Sequence, residues 1–288
     1  MSRNPVIAAA CGLVLAAYAA EVECLEVRSA AMGKSVPVAV ILPDGYRTMA
    51  ERRFPVAYAL HGANGDPVNF FQARPGGLLP QLADRYGFIA VCPDGGRTGW
   101  WIDSPVNAAM RYETLVVKEV LPFVDGRYRT QPDRRNRAVF GVSMGGHGAC
   151  YIGFRHTGLF GVVCSVMGGL DLVPYASRFD GRWGLEAVLG PIKENPARWR
   201  DFSAVTQARN LKNGDVELLV ICGTDDFFLG TNRQMHDLLS ANAVRHAYVE
   251  LRGADEERSM HTAAFANEAL PLVARFIGSY FDTGIASP

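Results

Sequence analysis

The feature that most constrains this chain is a series of short apolar runs separated by helical stretches. The runs cover residues 36–43 (VPVAVILP), 54–62 (FPVAYALHG), 88–94 (FIAVCPD), 137–143 (RAVFGVS), 160–169 (FGVVCSVMGG), 216–223 (VELLVICG) and 246–251 (HAYVEL). Several are almost continuously apolar, the pattern of strands covered on both faces in a parallel sheet. Helical patterns fall between them at residues 113–128, 232–242 and 260–281. In the last, apolar residues recur every three or four positions, which gives one helix face to a core. Strand and helix in alternation predict an α/β architecture, with a mostly parallel central sheet and helices on both sides. Residues 170–213, rich in Gly, Pro, Trp and charge, break the rhythm. They read as an excursion over the edge of the sheet where such folds bind ligands. No repeat or linker divides the chain, so one domain is expected over residues 20–288.

The first residues differ. Arg3 precedes an apolar run from Val6 to Ala20, too short to span a bilayer as a mature helix, and Ala17-Tyr18-Ala19 fits a small-x-small cleavage site. Residues 1–19 are therefore expected to be an export signal rather than a buried helix, and the mature chain secreted or periplasmic with no stable membrane anchor. Cys11 is no lipoprotein signal, because the apolar run continues past it. The other five cysteines, Cys24, Cys92, Cys150, Cys164 and Cys222, lack metal-ligand spacing. Cys92, Cys164 and Cys222 read as core packing, and one disulfide among the five stays open. Lys+Arg and Asp+Glu balance at 29 each, which gives no field for nucleic acid.

Chemistry concentrates where a strand pattern gives way to small residues. Gly141-Val142-Ser143-Met144-Gly145 is G-x-S-x-G directly after a strand and before a helix, the context in which the motif marks a nucleophile elbow. The plainer reading is a small-residue turn that packs helix on strand. A serine needs a base, and six histidines are available: His61, His147, His156, His236, His246 and His261. Only His261 falls after the last strand, where the order nucleophile, acid, base places it. His236 and His246 read as surface and strand-edge residues, and His147 as helix surface or packing. The acid should follow a strand between them, and CGTDDFFLG offers Asp225 and Asp226. One of the pair would orient the imidazole while the other caps the next helix. The loop LHGANGD supplies the N–H of Ala63, to converge with that of Met144 on a developing oxyanion, with His61 a structural residue of that loop.

Four ordered motifs, LHGANGD, residues 99–130, GVSMGGHGA and CGTDDFFL, resemble the esterase D family of α/β-hydrolases over roughly residues 36–281. That family includes tributyrin, feruloyl and acetylxylan esterases, S-formylglutathione hydrolases and mycolyltransferases of the antigen 85 type. The resemblance implies the α/β-hydrolase fold, with Ser143 as nucleophile, Asp226 as acid, His261 as base, and Ala63 and Met144 as backbone oxyanion donors. It matches Trp100 and Trp101 to an aromatic pair near the acyl site, although burial in the core accounts for them equally well. Around His261 the stretch GADEERSMHTAAF is acidic where the family shows glycine and aromatic residues, and Asp255, Glu256 and Glu257 read as a solvated loop face. The expected function is hydrolysis of a small-molecule or carbohydrate carboxylic ester, with no metal or organic cofactor. Acyl transfer by the same residues, or a non-catalytic binding protein on this fold, are the alternatives.

Overall fold

The structure is a computed structural model and describes residues 20–69, 71–176, 183–252 and 261–283. The expected export segment 1–19 and the acidic stretch Asp255 to Glu257 lie outside those residues.

Eight strands form one sheet in the order β1-β2-β4-β3-β5-β6-β7-β8. They are β1 (Glu21–Ser29), β2 (Lys34–Leu42), β3 (Val56–Leu60), β4 (Ile89–Pro93), β5 (Arg137–Val142), β6 (Val162–Val166), β7 (Glu217–Gly223) and β8 (Ala247–Leu251). β2 runs antiparallel to both β1 and β4, and every other pairing is parallel. The apolar runs correspond to β2 through β8. β1 is an addition: it carries a charged residue at four of its nine positions and lies half-exposed at the sheet edge.

The central strands owe their continuous apolar character to two cores. Along β5, Ala138, Phe140 and Val142 pack with the C-terminal helix (Ala263–Thr283) and the helix Leu78–Tyr86. Val139 faces the opposite core, which includes residues of the helices Met144–Arg155 and Leu229–Ala241 and of the helical segment 112–127. That segment is one run with a π-helical turn at Leu115–Val120. Among the described residues of the excursion, short helices follow one another at Leu185–Leu189, Pro196–Asp201 and Ala204–Ala208. The excursion is anchored by fully buried Trp199 and by the Val205 N–H, which donates to the Leu170 carbonyl at 3.0 Å.

His147 stitches three of these pieces together and is fully buried, so its role is packing and not helix surface. Its Nδ1 lies 3.2 Å from the Trp100 carbonyl and its Nε2 2.9 Å from that of Phe202. Burial pushes its pKa down to about 4, outweighing the two carbonyls that favour the charged ring. His236 and His246 are half-buried and bonded to each other, Nδ1 to Nε2 at 2.8 Å, with the His236 ring stacked on Tyr248. They form a local cluster on the β8 side and are not independent surface residues. All five described cysteines are free thiols, with Cys24 exposed and the rest buried.

Two predictions follow from this packing. An unfolded histidine titrates near 6.5, so the unfolded chain takes up a proton before buried His147 does. Stability from the neutral ring is complete above that value and is lost as pH falls toward 4. The unfolding free energy from urea titrations should fall more steeply between pH 6 and 4 for wild type than for His147→Phe, by at most about 1.4 kcal/mol per pH unit. At Gly145, an added Cβ would stand 1.8 Å from the Leu60 carbonyl oxygen, whereas at helical Gly126 nothing lies within 4 Å. Gly145→Ala should cost at least about 2 kcal/mol in urea unfolding, and Gly126→Ala should gain about 0.5 kcal/mol.

Candidate functional site

The site assembles where parallel strands end. β5 stops at Val142, and Ser143 takes φ 58° and ψ −117° before the helix Met144–Arg155 begins. A non-glycine residue in that region is strained, and the neighbours hold it there. The Ser143 N–H donates to the Val166 carbonyl at 2.9 Å, and the Ser143 carbonyl accepts from the His147 N–H at 3.0 Å. Gly141 and Gly145 leave room for this turn, because a Cβ at Gly141 would fall 2.2 Å from the Gly145 carbonyl oxygen. Ser143 itself is 6 % exposed, so its hydroxyl is sheltered yet reachable.

Ser143 Oγ lies 2.7 Å from Nε2 of His261, and His261 Nδ1 lies 2.8 Å from Oδ2 of Asp226. The three side chains come from separate places: the turn after β5, the turn after β7, and the residue two positions before the C-terminal helix. Thr262 caps that helix, its hydroxyl accepting from the Phe265 N–H at 3.2 Å, which fixes the chain next to His261.

The two aspartates differ in burial and in what they touch. Asp225 is exposed, whereas the Asp226 side chain is fully buried. Asp226 also accepts from the Phe228 N–H through Oδ1 at 2.7 Å, so one carboxylate both meets His261 and holds the turn before the helix Leu229–Ala241. The expectation that the two aspartates would divide these roles is thereby corrected. Three aromatic rings surround the imidazole, with centroids at 4.2 Å for Phe227, 5.3 Å for Phe228 and 6.3 Å for Trp183. They exclude water from the Asp226 contact and strengthen it in a low-dielectric surrounding. The pair Phe227-Phe228 stood next to the acid in the sequence, but nothing in its spacing distinguished a wall around the base from core. Trp183 arrives from the excursion, beyond the reach of local pattern.

The loop after β3 lies against the first turn of the nucleophile helix. A Cβ on Gly145 would also stand 2.7 Å from the His61 carbonyl oxygen. The His61 ring is buried, and it accepts the Gly95 N–H at Nε2 (2.9 Å) while Nδ1 faces the Gly62 carbonyl at 2.8 Å. That network assigns the proton to Nδ1. The Gly65 N–H donates to the same carbonyl at 3.0 Å. A trans peptide points its N–H opposite to its carbonyl, so the N–H of half-buried Ala63 is directed away from His61. Met144 is the first residue of its helix, where N–H groups lack intrahelical partners.

Trp100 and Trp101 are not part of an open surface. Both are buried, and each donates its indole N–H to a backbone carbonyl, Trp100 to Trp183 at 2.7 Å and Trp101 to His61 at 3.1 Å. Both pack as core residues and tie the loops around Ser143 and His61 to the excursion.

A family model described as "Putative esterase" matches residues 29–268. The chain is 34% identical over 152 residues to the esterase Rv1288 of Mycobacterium tuberculosis, covering 50% of this chain and 32% of that protein. It is 25% identical over 219 residues to the S-formylglutathione hydrolase of Bos taurus, covering 69% of this chain and 73% of the relative. The chain thus spans about a third of the length of the mycobacterial relative. Among solved structures it superposes on a ferulic acid esterase with a TM-score of 0.73 at 24% identity, over 92% of this chain and 99% of that one. The sheet order, the strained turn after β5 and the extent of the family match agree: this chain has the α/β-hydrolase fold and belongs to the esterase family that the model describes.

Proposed function

We propose that this protein hydrolyses carboxylic esters of small molecules or carbohydrates, with Ser143 as nucleophile, His261 as general base and acid, and Asp226 as its orienting carboxylate. The observation that carries the reading is the unbroken chain of contacts, 2.7 Å and 2.8 Å, from the Ser143 hydroxyl through His261 to buried Asp226. In this scheme Nε2 removes the hydroxyl proton as Oγ attacks the ester carbonyl. The resulting imidazolium is stabilised by the Asp226 carboxylate and gives its proton to the departing alkoxide. Water then enters, loses a proton to Nε2, and attacks the acyl-enzyme; collapse returns the proton to Ser143 and releases the acid. No metal or organic cofactor is needed for any of these steps.

The N–H groups of Ala63 and Met144 would hold the oxyanion. The peptide carrying the Ala63 donor is oriented by His61, through its Nδ1 contact to the Gly62 carbonyl. An export signal at residues 1–19 would place the activity outside the cytoplasm, where polymeric or lipid esters are met.

A fluorophosphonate probe should label wild type at Ser143 and leave Ser143→Ala unlabelled. On p-nitrophenyl acetate and butyrate, His261→Ala should lose on the order of 10⁴-fold or more in acylation, and Asp226→Asn roughly 10⁴-fold. Full activity in Ser143→Ala would sink the proposal. For His61→Phe the expectation is a fall of about 10²-fold in kcat with little change in KM, because the donor acts on the transition state; an equal loss in binding alone would remove His61 from this role.

A further inference from the structure

We propose that Arg97, held by Asn64, forms an anion subsite beside the oxyanion loop and selects esters that carry a negative charge on the portion crossing that loop. The inference rests on the hydrolase reading above and adds a substrate class to it. Arg97 lies on the loop that follows β4, and Asn64 on the loop that follows β3, next to Ala63. β3 sits between β4 and β5 in the sheet, so the oxyanion loop is flanked by Ser143 on one side and Arg97 on the other. Neighbouring strands are about 4.8 Å apart, which puts the loop of Arg97 about 10 Å from that of Ser143. That is several bonds from a scissile carbonyl.

The two loops are locked together. The Asn64 N–H donates to the Arg97 carbonyl at 2.7 Å, with Asn64 itself at φ 59°. The guanidinium returns the contact, Nε and Nη2 each donating to Asn64 Oδ1 at 3.3 Å. An arginine has five N–H donors, so most remain available for a ligand. Asn64 gives only a neutral acceptor, and Arg97 makes no ion pair among the described residues. Nearby carboxylates are already engaged: Asp94 accepts from the Gly96 N–H at 2.7 Å, and Asp66 from the Val68 and Asn69 N–H groups at 2.9 Å and 2.8 Å. Arg97 is exposed, so its charge is accessible to a ligand. The outer rim continues through Thr98, whose hydroxyl lies 2.3 Å from where a Cβ on Gly184 would stand, one residue from Trp183 on the His261 side. A planar carboxylate or a phosphate monoester fits the free edge of a guanidinium.

The test compares paired substrates. Mono-4-nitrophenyl succinate is set against 4-nitrophenyl butyrate, and 4-acetoxybenzoate against its methyl ester, so that the charge lies on the acyl side in one pair and the alcohol side in the other. In at least one pair, Arg97→Gln should lower the anionic-to-neutral ratio of kcat/KM about tenfold, the effect of one hydrogen bond to a charged group. Arg97→Glu should lower it further, Arg97→Lys should recover part of it, and added salt should reduce the wild-type ratio. Equal changes in both members of each pair would mean that Arg97 only supports the loop, and an unchanged ratio in all variants would overturn the subsite. Absence of turnover on every ester in wild type would instead overturn the hydrolase reading, which keeps the two outcomes apart.

Discussion

The site depends on one close approach between backbones. The Leu60 carbonyl stands where a Cβ on Gly145 would be, at 1.8 Å, and 2.7 Å from one on Gly141. Because neither residue has a side chain, β3 and β5 can end side by side while the chain turns sharply through Ser143. This contact sets the spacing between the Ala63 loop and the start of the helix Met144–Arg155, and hence between the N–H groups of Ala63 and Met144. The Val166 carbonyl and the His147 N–H hold Ser143 in its strained turn.

A second layer of the design lies behind the acid. Asp226 uses one oxygen on His261 and the other on the Phe228 N–H. A carboxylate so buried needs both partners, since an unpaired buried charge is costly. The turn that follows β7 is thus fixed by the same carboxylate that meets His261, and Phe227 and Phe228 leave that turn as rings packed against the imidazole. Position and electrostatics come from one short stretch.

Much of this was legible in the sequence because it rests on local signals. Continuous apolar runs marked β3 through β7, since strands covered on both faces need no polar positions, while half-buried β8 at the sheet edge carries a shorter, interrupted run. The G-x-S-x-G context and chain order pointed to Ser143, to the pair Asp225 and Asp226, and to His261, and the contacts bring Ser143, Asp226 and His261 together. β1 was not legible, because an edge strand with Glu21, Glu23, Glu26 and Arg28 along it has no continuous apolar run to announce it. Trp183 could not be placed because it reaches His261 from 78 residues away in sequence, a matter of tertiary packing alone. The burial of His147 depends on the excursion folding over its helix, through the Phe202 carbonyl, which no periodicity in Met144–Arg155 reveals.

The two tryptophans show how tertiary packing overrides a local preference. Trp100 and Trp101 sit at φ 53° and 60°, a conformation that costs an L-residue roughly 1–2 kcal/mol each. Burying an indole removes roughly 150–250 Å² from water, which at about 25 cal/mol per Å² contributes roughly 4–6 kcal/mol per ring. Burial therefore exceeds the strain by a wide margin, and the loop accepts an awkward backbone to seat both rings. The seating has consequences in front of it. Trp101 holds the His61 carbonyl while His61 holds that of Gly62, so the direction of the Ala63 N–H is set by a chain of contacts that begins in the core. The buried aromatic pair thus supports the backbone of the loop that carries Ala63.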